Sequence, residues 1–165
     1  MIVRAKAAFA EGKFLQEFIP NPSGEWDYDW SVANWGTKWD VGDGNGIQTW
    51  DDHELIVYFD SAWSPPITAY EKFIDLGFTV YATYYESGCA FAGIWEDGHD
   101  DYYDLSSMDS GDVQQQLPQE LDDAFGISET MAEYEAENEE ELTTWYKEGV
   151  EEVGLIPHEP PKEKR

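Results

Sequence analysis

The chain has 165 residues, 41% of them hydrophobic and 16% aromatic, and a net charge of −27 from 9 lysines and arginines against 36 aspartates and glutamates. Such an aromatic content excludes a disordered acidic chain and fits one folded domain with a tail, its acid carried on the surface. The charge argues against nucleic acid and anionic membrane as direct partners, and it burdens the compact state with self-repulsion.

Cys89 is the only cysteine, so neither an intramolecular disulfide nor a thiolate zinc site can form. Its neighbours Ala90, Phe91 and Ala92 predict a buried structural thiol. Met1 to Ala10 carries Arg4 and Lys6 but no continuous apolar core, and no later run is long enough to cross a bilayer. The expected location is the cytoplasm.

In chain order, an apolar and basic opening leads to Phe14-Leu15-Gln16-Glu17-Phe18-Ile19, closed by Pro20-Asn21-Pro22-Ser23-Gly24, whose prolines force an extended exit. The stretch from Glu25 to Asp40 packs Trp26, Trp30, Trp35 and Trp39 among carboxylates. Alternation through Trp35, Thr37 and Trp39 predicts a strand entered from an irregular loop, and indoles so large are expected to fill the core. Asp40 to Gly46 is turn-rich.

Glu54 to Phe59 is β-branched and aromatic on both parities, which predicts an interior strand covered on both faces. Ser64-Pro65-Pro66 then supplies a helix start; Ile67, Tyr70, Phe73 and Ile74 recur at helical spacing until Gly77. Phe78 to Tyr85 and Cys89 to Trp95 form a hairpin around Glu86-Ser87-Gly88, and Tyr102 to Leu105 adds a short edge strand.

After Ser106 the composition turns glutamine-rich and acidic. Pro118 opens a short helix that Gly126 ends, and Ser128 caps a longer one. In that helix Ile127, Met131, Tyr134, Leu142 and Trp145 make an apolar stripe opposite Glu129, Glu133, Glu137, Glu140 and Glu141, which predicts a face docked on the sheet. The expected division is an α+β domain over 1–106, an acidic helical extension over 107–156 and a disordered tail over 157–165.

Three motifs carry a resemblance: Phe18-Ile19-Pro20-Asn21-Pro22; Tyr28-Asp29-Trp30 followed by Asn34-Trp35-Gly36-Thr37-Lys38-Trp39-Asp40; and Phe59-Asp60-Ser61-Ala62-Trp63-Ser64-Pro65-Pro66. From roughly Phe14 to Glu96 the chain resembles the YubB-type (Api-like) ferredoxin-like domain family of plasmid and phage proteins, though without the cysteine-bearing, zinc-ribbon-like opening common in that family. The resemblance implies a ferredoxin-like sandwich, an antiparallel sheet with helices on one face, and a mobile-element origin. It implies no established activity.

Between Lys72 and Lys147 the chain has no lysine or arginine. The carboxylates there include Asp97, Asp100, Asp101, Asp104, Asp109 and Asp112, then the glutamates from Glu129 on. Ordinary solvated surfaces interleave both signs. Duplex DNA carries one phosphate charge per about 1.7 Å of axis, and a helix rises about 1.5 Å per residue, so helix-borne carboxylates can approach that density.

Asp51-Asp52-His53 and His99-Asp100-Asp101 place imidazole beside carboxylates, but neither has the spacing of a helical histidine pair, and Asp43-Gly44-Asn45-Gly46 lacks the remaining ligands of a calcium loop. No nucleophile elbow, phosphate loop or dinucleotide fingerprint is present, and no cofactor or dedicated metal site is expected. The expectation is a non-enzymatic inhibitor of host defence, anti-CRISPR or anti-restriction. Its acidic surface, with Tyr102, Tyr103 and Tyr134 as anchors, would occupy the groove of a basic nucleic-acid-binding host protein or CRISPR/restriction complex. Self-association through the hairpin edge stays open. The alternatives are an accessory protein whose acid only confers solubility, and a carboxylate-based hydrolase using the indoles as a sugar platform.

Overall fold

Asp27 and Gly36 bracket a helix where an irregular loop was expected, and the strand expected through Trp35, Thr37 and Trp39 is not formed. In the computed structural model, which describes the backbone of residues 1–153 and side chains to Tyr146, the Asp27 carboxylate accepts the Trp30 N–H at 2.8 Å. Gly36 ends α3 (Tyr28–Trp35) in the left-handed conformation at φ 78°. An aspartate at the N-cap and a glycine just past the end outweigh the alternation of Trp35, Thr37 and Trp39, the first of which is the last residue of the helix. A Cβ on Gly36 would also stand 3.3 Å from the Pro66 backbone.

Two helices precede it, α1 (Ile2–Ala10) and α2 (Phe14–Phe18). Lys13, at the N-cap of α2, offers no side-chain cap. Asp40 supplies one from a distance, its two oxygens accepting the Leu15 and Gln16 N–H groups at 2.6 and 2.8 Å.

The strands fall into two small antiparallel sheets. The first pairs β1 (Ile47–Trp50) with β2 (Leu55–Val57), in register at Thr49 with Ile56 and Trp50 with Leu55. The expected interior strand at 54–59 is therefore an edge of a two-stranded ribbon, with Ile56 and Tyr58 exposed. Its β-branched composition favours extension but cannot supply covering layers; Leu55 and Val57 are half-buried, and Phe59 packs against the core. The second sheet has the order β3-β4-β5, from β3 (Tyr81–Glu86), β4 (Phe91–Glu96) and β5 (His99–Asp104), joined by tight turns. Between the two sheets in chain order comes α4 (Ile67–Asp75), which starts after Pro66 as its sequence predicts. The α+β class is observed.

The chain divides into two units, Met1–Tyr84 with Gly93–Tyr102, and Tyr85–Ala92 with the chain from Tyr103 onward. In the first, Leu15, Ile19, Trp35, Val41, Ala69 and Phe73 form the core. Trp35 is its anchor: the indole N–H donates to the Ile19 carbonyl at 2.9 Å, and Trp30 packs edge-on at 5.4 Å. The expectation of a tryptophan-filled core holds only in part: Trp95 is also fully buried, but Trp26, Trp39, Trp50 and Trp63 are exposed. Phenylalanines fill the space instead; Phe14, Phe18, Phe73 and Phe78 stack in edge and tilted pairs 5.1 to 5.8 Å apart.

The second unit contains α5 (Ser110–Gln116), α6 (Gln119–Phe125) and α7 (Ile127–Val153). Val113, Leu117, Leu121 and Ile127 are buried there with Leu105, and Tyr85 stacks on Phe125 at 5.7 Å. The expected tail at 157–165 lies outside the described residues. Cys89, expected to be buried, is exposed, because it occupies the β3–β4 turn instead of continuing the apolar strand that follows. Among the described residues no helix is long and apolar enough to cross a membrane.

Candidate functional site

Of the acidic positions singled out in the sequence, Asp97, Asp100, Asp101 and Tyr102 belong to the first unit, and the rest to the second. In the first unit the carboxylates are engaged locally. Asp97, in the β4–β5 turn with φ 43°, accepts the Val80 N–H at 3.0 Å. Asp100 accepts the Tyr84 hydroxyl at 2.6 Å, and Asp101 pairs with His99 Nε2 at 3.1 Å. Burial, reinforced by the Asp100 carboxylate, pushes the Tyr84 phenol far above its ordinary range.

In the second unit, Asp104 accepts the Ser106 N–H at 2.9 Å, and hydrogen bonds from the Ser106 hydroxyl and backbone hold its carboxyl below the usual range. Asp109 and Asp112 form a reciprocal capping box at the start of α5, with Asp109 Oδ1 accepting the Asp112 N–H at 2.8 Å. These carboxylates are turn and cap elements, a role that their spacing three residues apart announces and that charge counting overlooks. Tyr103 is half-buried.

Glu129, Glu133, Glu137, Glu140 and Glu141 remain exposed on α7. They form no hydrogen bond or ion pair among the described residues. Residues 129 to 141 of α7 include seven glutamates over about 18 Å of axis, or about one charge per 2.6 Å, against about 1.7 Å in duplex DNA. Of the seven, Glu135 is structural, its carboxylate accepting the Ser110 N–H and hydroxyl at 2.8 and 2.7 Å. That bond joins α7 to α5 without interrupting the exposed glutamate face. Asp122 similarly accepts the Ser128 N–H and hydroxyl at 2.7 and 2.6 Å, tying α6 to α7.

The apolar stripe of α7 is covered only at its start. Ile127 is fully buried, whereas Tyr134, Leu142 and Trp145 are 67%, 67% and 74% exposed. The expected docking of the stripe on the sheet is not what is observed: the start of α7 packs on α5 and α6, which at 7 residues each are too short to run beside a helix of 27. Sequence periodicity identified the stripe but could not tell whether a covering element of matching length exists.

Among the described residues no group of three or more histidine, cysteine, aspartate or glutamate side chains is arranged to hold a metal ion. No protein-family model, curated protein or solved structure matches the chain.

Proposed function

We propose that the chain is a phage or mobile-element inhibitor of a host defence system, anti-CRISPR or anti-restriction, that acts as an acidic nucleic-acid mimic and carries out no catalysis of its own. The observation that supports this reading is the exposed glutamate face of α7, whose side chains bond to nothing else among the described residues. Carboxylates already engaged in the fold lose part of their value to a partner. The α7 glutamates keep theirs, and a groove lined with arginine and lysine would pair with them bidentately while releasing its counterions. Exposed Tyr134 and half-buried Tyr103 add anchors to the same unit. Inhibition follows by exclusion of DNA or RNA, in the cytoplasm of the host.

The YubB-type, ferredoxin-like assignment is part of this proposal. It is supported by the Asn34–Asp40 and Phe59–Pro66 motifs and by the order of α4 followed by an antiparallel hairpin.

The test is salt-dependent binding of the purified protein to immobilised CRISPR effectors and restriction enzymes, with nucleic acid as competitor. Glu129→Gln, Glu133→Gln, Glu137→Gln and Glu140→Gln together are expected to weaken binding at least tenfold and to flatten its salt dependence. Tight binding that survives all four changes refutes the assignment to α7.

A further inference from the structure

Lys38, one of only 9 basic residues among 36 acidic ones, forms no ion pair among the described residues. Its ammonium lies instead over two indoles, 4.0 Å from the ring centroid of Trp39 and 5.2 Å from that of Trp63. Both distances are within the range of cation–π attraction. Trp26 completes the patch, its indole N–H donating to the Lys38 carbonyl at 2.8 Å.

Core packing does not account for where these rings sit. Trp39 is 50% exposed and Trp63 76% exposed. Trp63 also adopts φ 74°, a left-handed conformation that a bulky side chain rarely takes. The loop that presents it is held on both sides: the Ala62 N–H donates to the buried Thr37 hydroxyl at 3.0 Å, and the Ser61 hydroxyl donates to the Ser64 carbonyl at 2.7 Å. A strained backbone that is rigidly supported and yields no burial is the pattern of a presented binding residue.

We infer that Trp39 and Trp63 form a two-indole clamp for an arginine side chain of a basic protein partner, with Lys38 as its resting occupant. The clamp already holds a cation, and the net charge of −27 concentrates cations and repels anions around it. A guanidinium is planar and weakly hydrated, so it stacks on indole with less desolvation cost than the ammonium it displaces. The inference takes its basic partner from the proposed function, but it assigns the contact to the first unit and to aromatic faces instead of the α7 carboxylates.

The probe is fluorescein-labelled nona-arginine, titrated in 0.15 M salt and followed by anisotropy, with nona-lysine in parallel. Trp39→Leu combined with Trp63→Gly leaves the charge unchanged and is expected to weaken nona-arginine binding about fivefold, with a smaller effect on nona-lysine. Lys38→Met empties the clamp and is expected to tighten nona-arginine binding severalfold. Unchanged affinity in the double variant, or weaker binding by Lys38→Met, overturns the clamp, as does quenching of the wild-type indoles by maltohexaose, which would mark a sugar platform. The fourfold α7 glutamine variant separates the two readings. If it alone loses nona-arginine binding, the clamp fails and the acidic-face proposal stands; if only the tryptophan variant loses it, the reverse holds.

Discussion

Tyr84 occupies the space where Gly93 has no side chain: a Cβ at Gly93 would stand 2.2 Å from the Tyr84 hydroxyl oxygen and 2.8 Å from the Asp101 carbonyl. The ring thus passes from β3 over β4, and its hydroxyl reaches Asp100 on β5. Gly93→Ala is expected to destabilise the protein by about 2–3 kcal/mol through overpacking, with no change in net charge. Urea unfolding measures it; a loss below about 1 kcal/mol would mean that Tyr84 swings aside without cost.

Asp40 is the remote cap of α2, and it also accepts the Val41 N–H at 2.8 Å. Asp40→Ala strands the Leu15 and Gln16 N–H groups in a partly buried site and should cost about 2 kcal/mol, while Asp40→Asn, which keeps one acceptor oxygen, should cost about half as much.

Burial is the largest influence on the Asp40 carboxyl and raises it above its ordinary value, against the pull of its backbone hydrogen bonds to Gln16, Leu15 and Val41. The folded state therefore holds this proton more tightly than the unfolded chain does. The contribution to stability is complete below the unfolded value and declines as pH rises through the folded one. Carbon-detected NMR titration should place the Asp40 midpoint above 3.8; a midpoint below it would show the hydrogen bonds prevailing over desolvation.

Cys89 is exposed, yet the Glu86 carboxylate hydrogen-bonded to its thiol holds the thiol above its ordinary range. Only the thiolate is alkylated, so at pH 8 Cys89 should react with iodoacetamide more slowly than a free cysteine peptide. Glu86→Gln removes the negative charge and should accelerate the reaction severalfold. Equal rates in the two proteins would argue that the turn amides at Gly88 and Cys89 absorb the carboxylate's influence.

Trp63→Gly should leave stability within about 0.5 kcal/mol of the wild type, since relief of a left-handed bulky residue is worth about 1–2 kcal/mol, and the added freedom of the unfolded chain, with the lost cation–π contact, takes back a similar amount. A large loss in thermal unfolding would place Trp63 among the residues that hold the fold.

Helix α4 and the β3–β4 hairpin were legible because their signals are local: prolines at the helix entry, apolar residues at helical spacing, and alternation around a glycine turn. Helix α3 has equally local signals in Asp27 and Gly36, but the alternation of Trp35, Thr37 and Trp39 across its end competes with them. The capping roles of Asp109 and Asp112 were also written in their spacing. No such signal marks Asp40 as a cap for a helix that starts 26 residues earlier, nor the Tyr84–Gly93 contact, since both require that chain closure be known.

The sequence by itself determined the acid, its uninterrupted run between Lys72 and Lys147, the α+β class and the amphipathic stripe of α7, because each follows from residue type and spacing along the chain. Tertiary structure alone decided which side chains are left for a partner. Trp35 is in the core while Trp39 and Trp63 clasp a lysine at the surface; Asp100 and Asp112 serve the fold while Glu133 and Glu137 face solvent. The physical reason is that burial and hydrogen bonding are satisfied between residues distant in sequence, so two identical side chains in one motif can end with opposite roles.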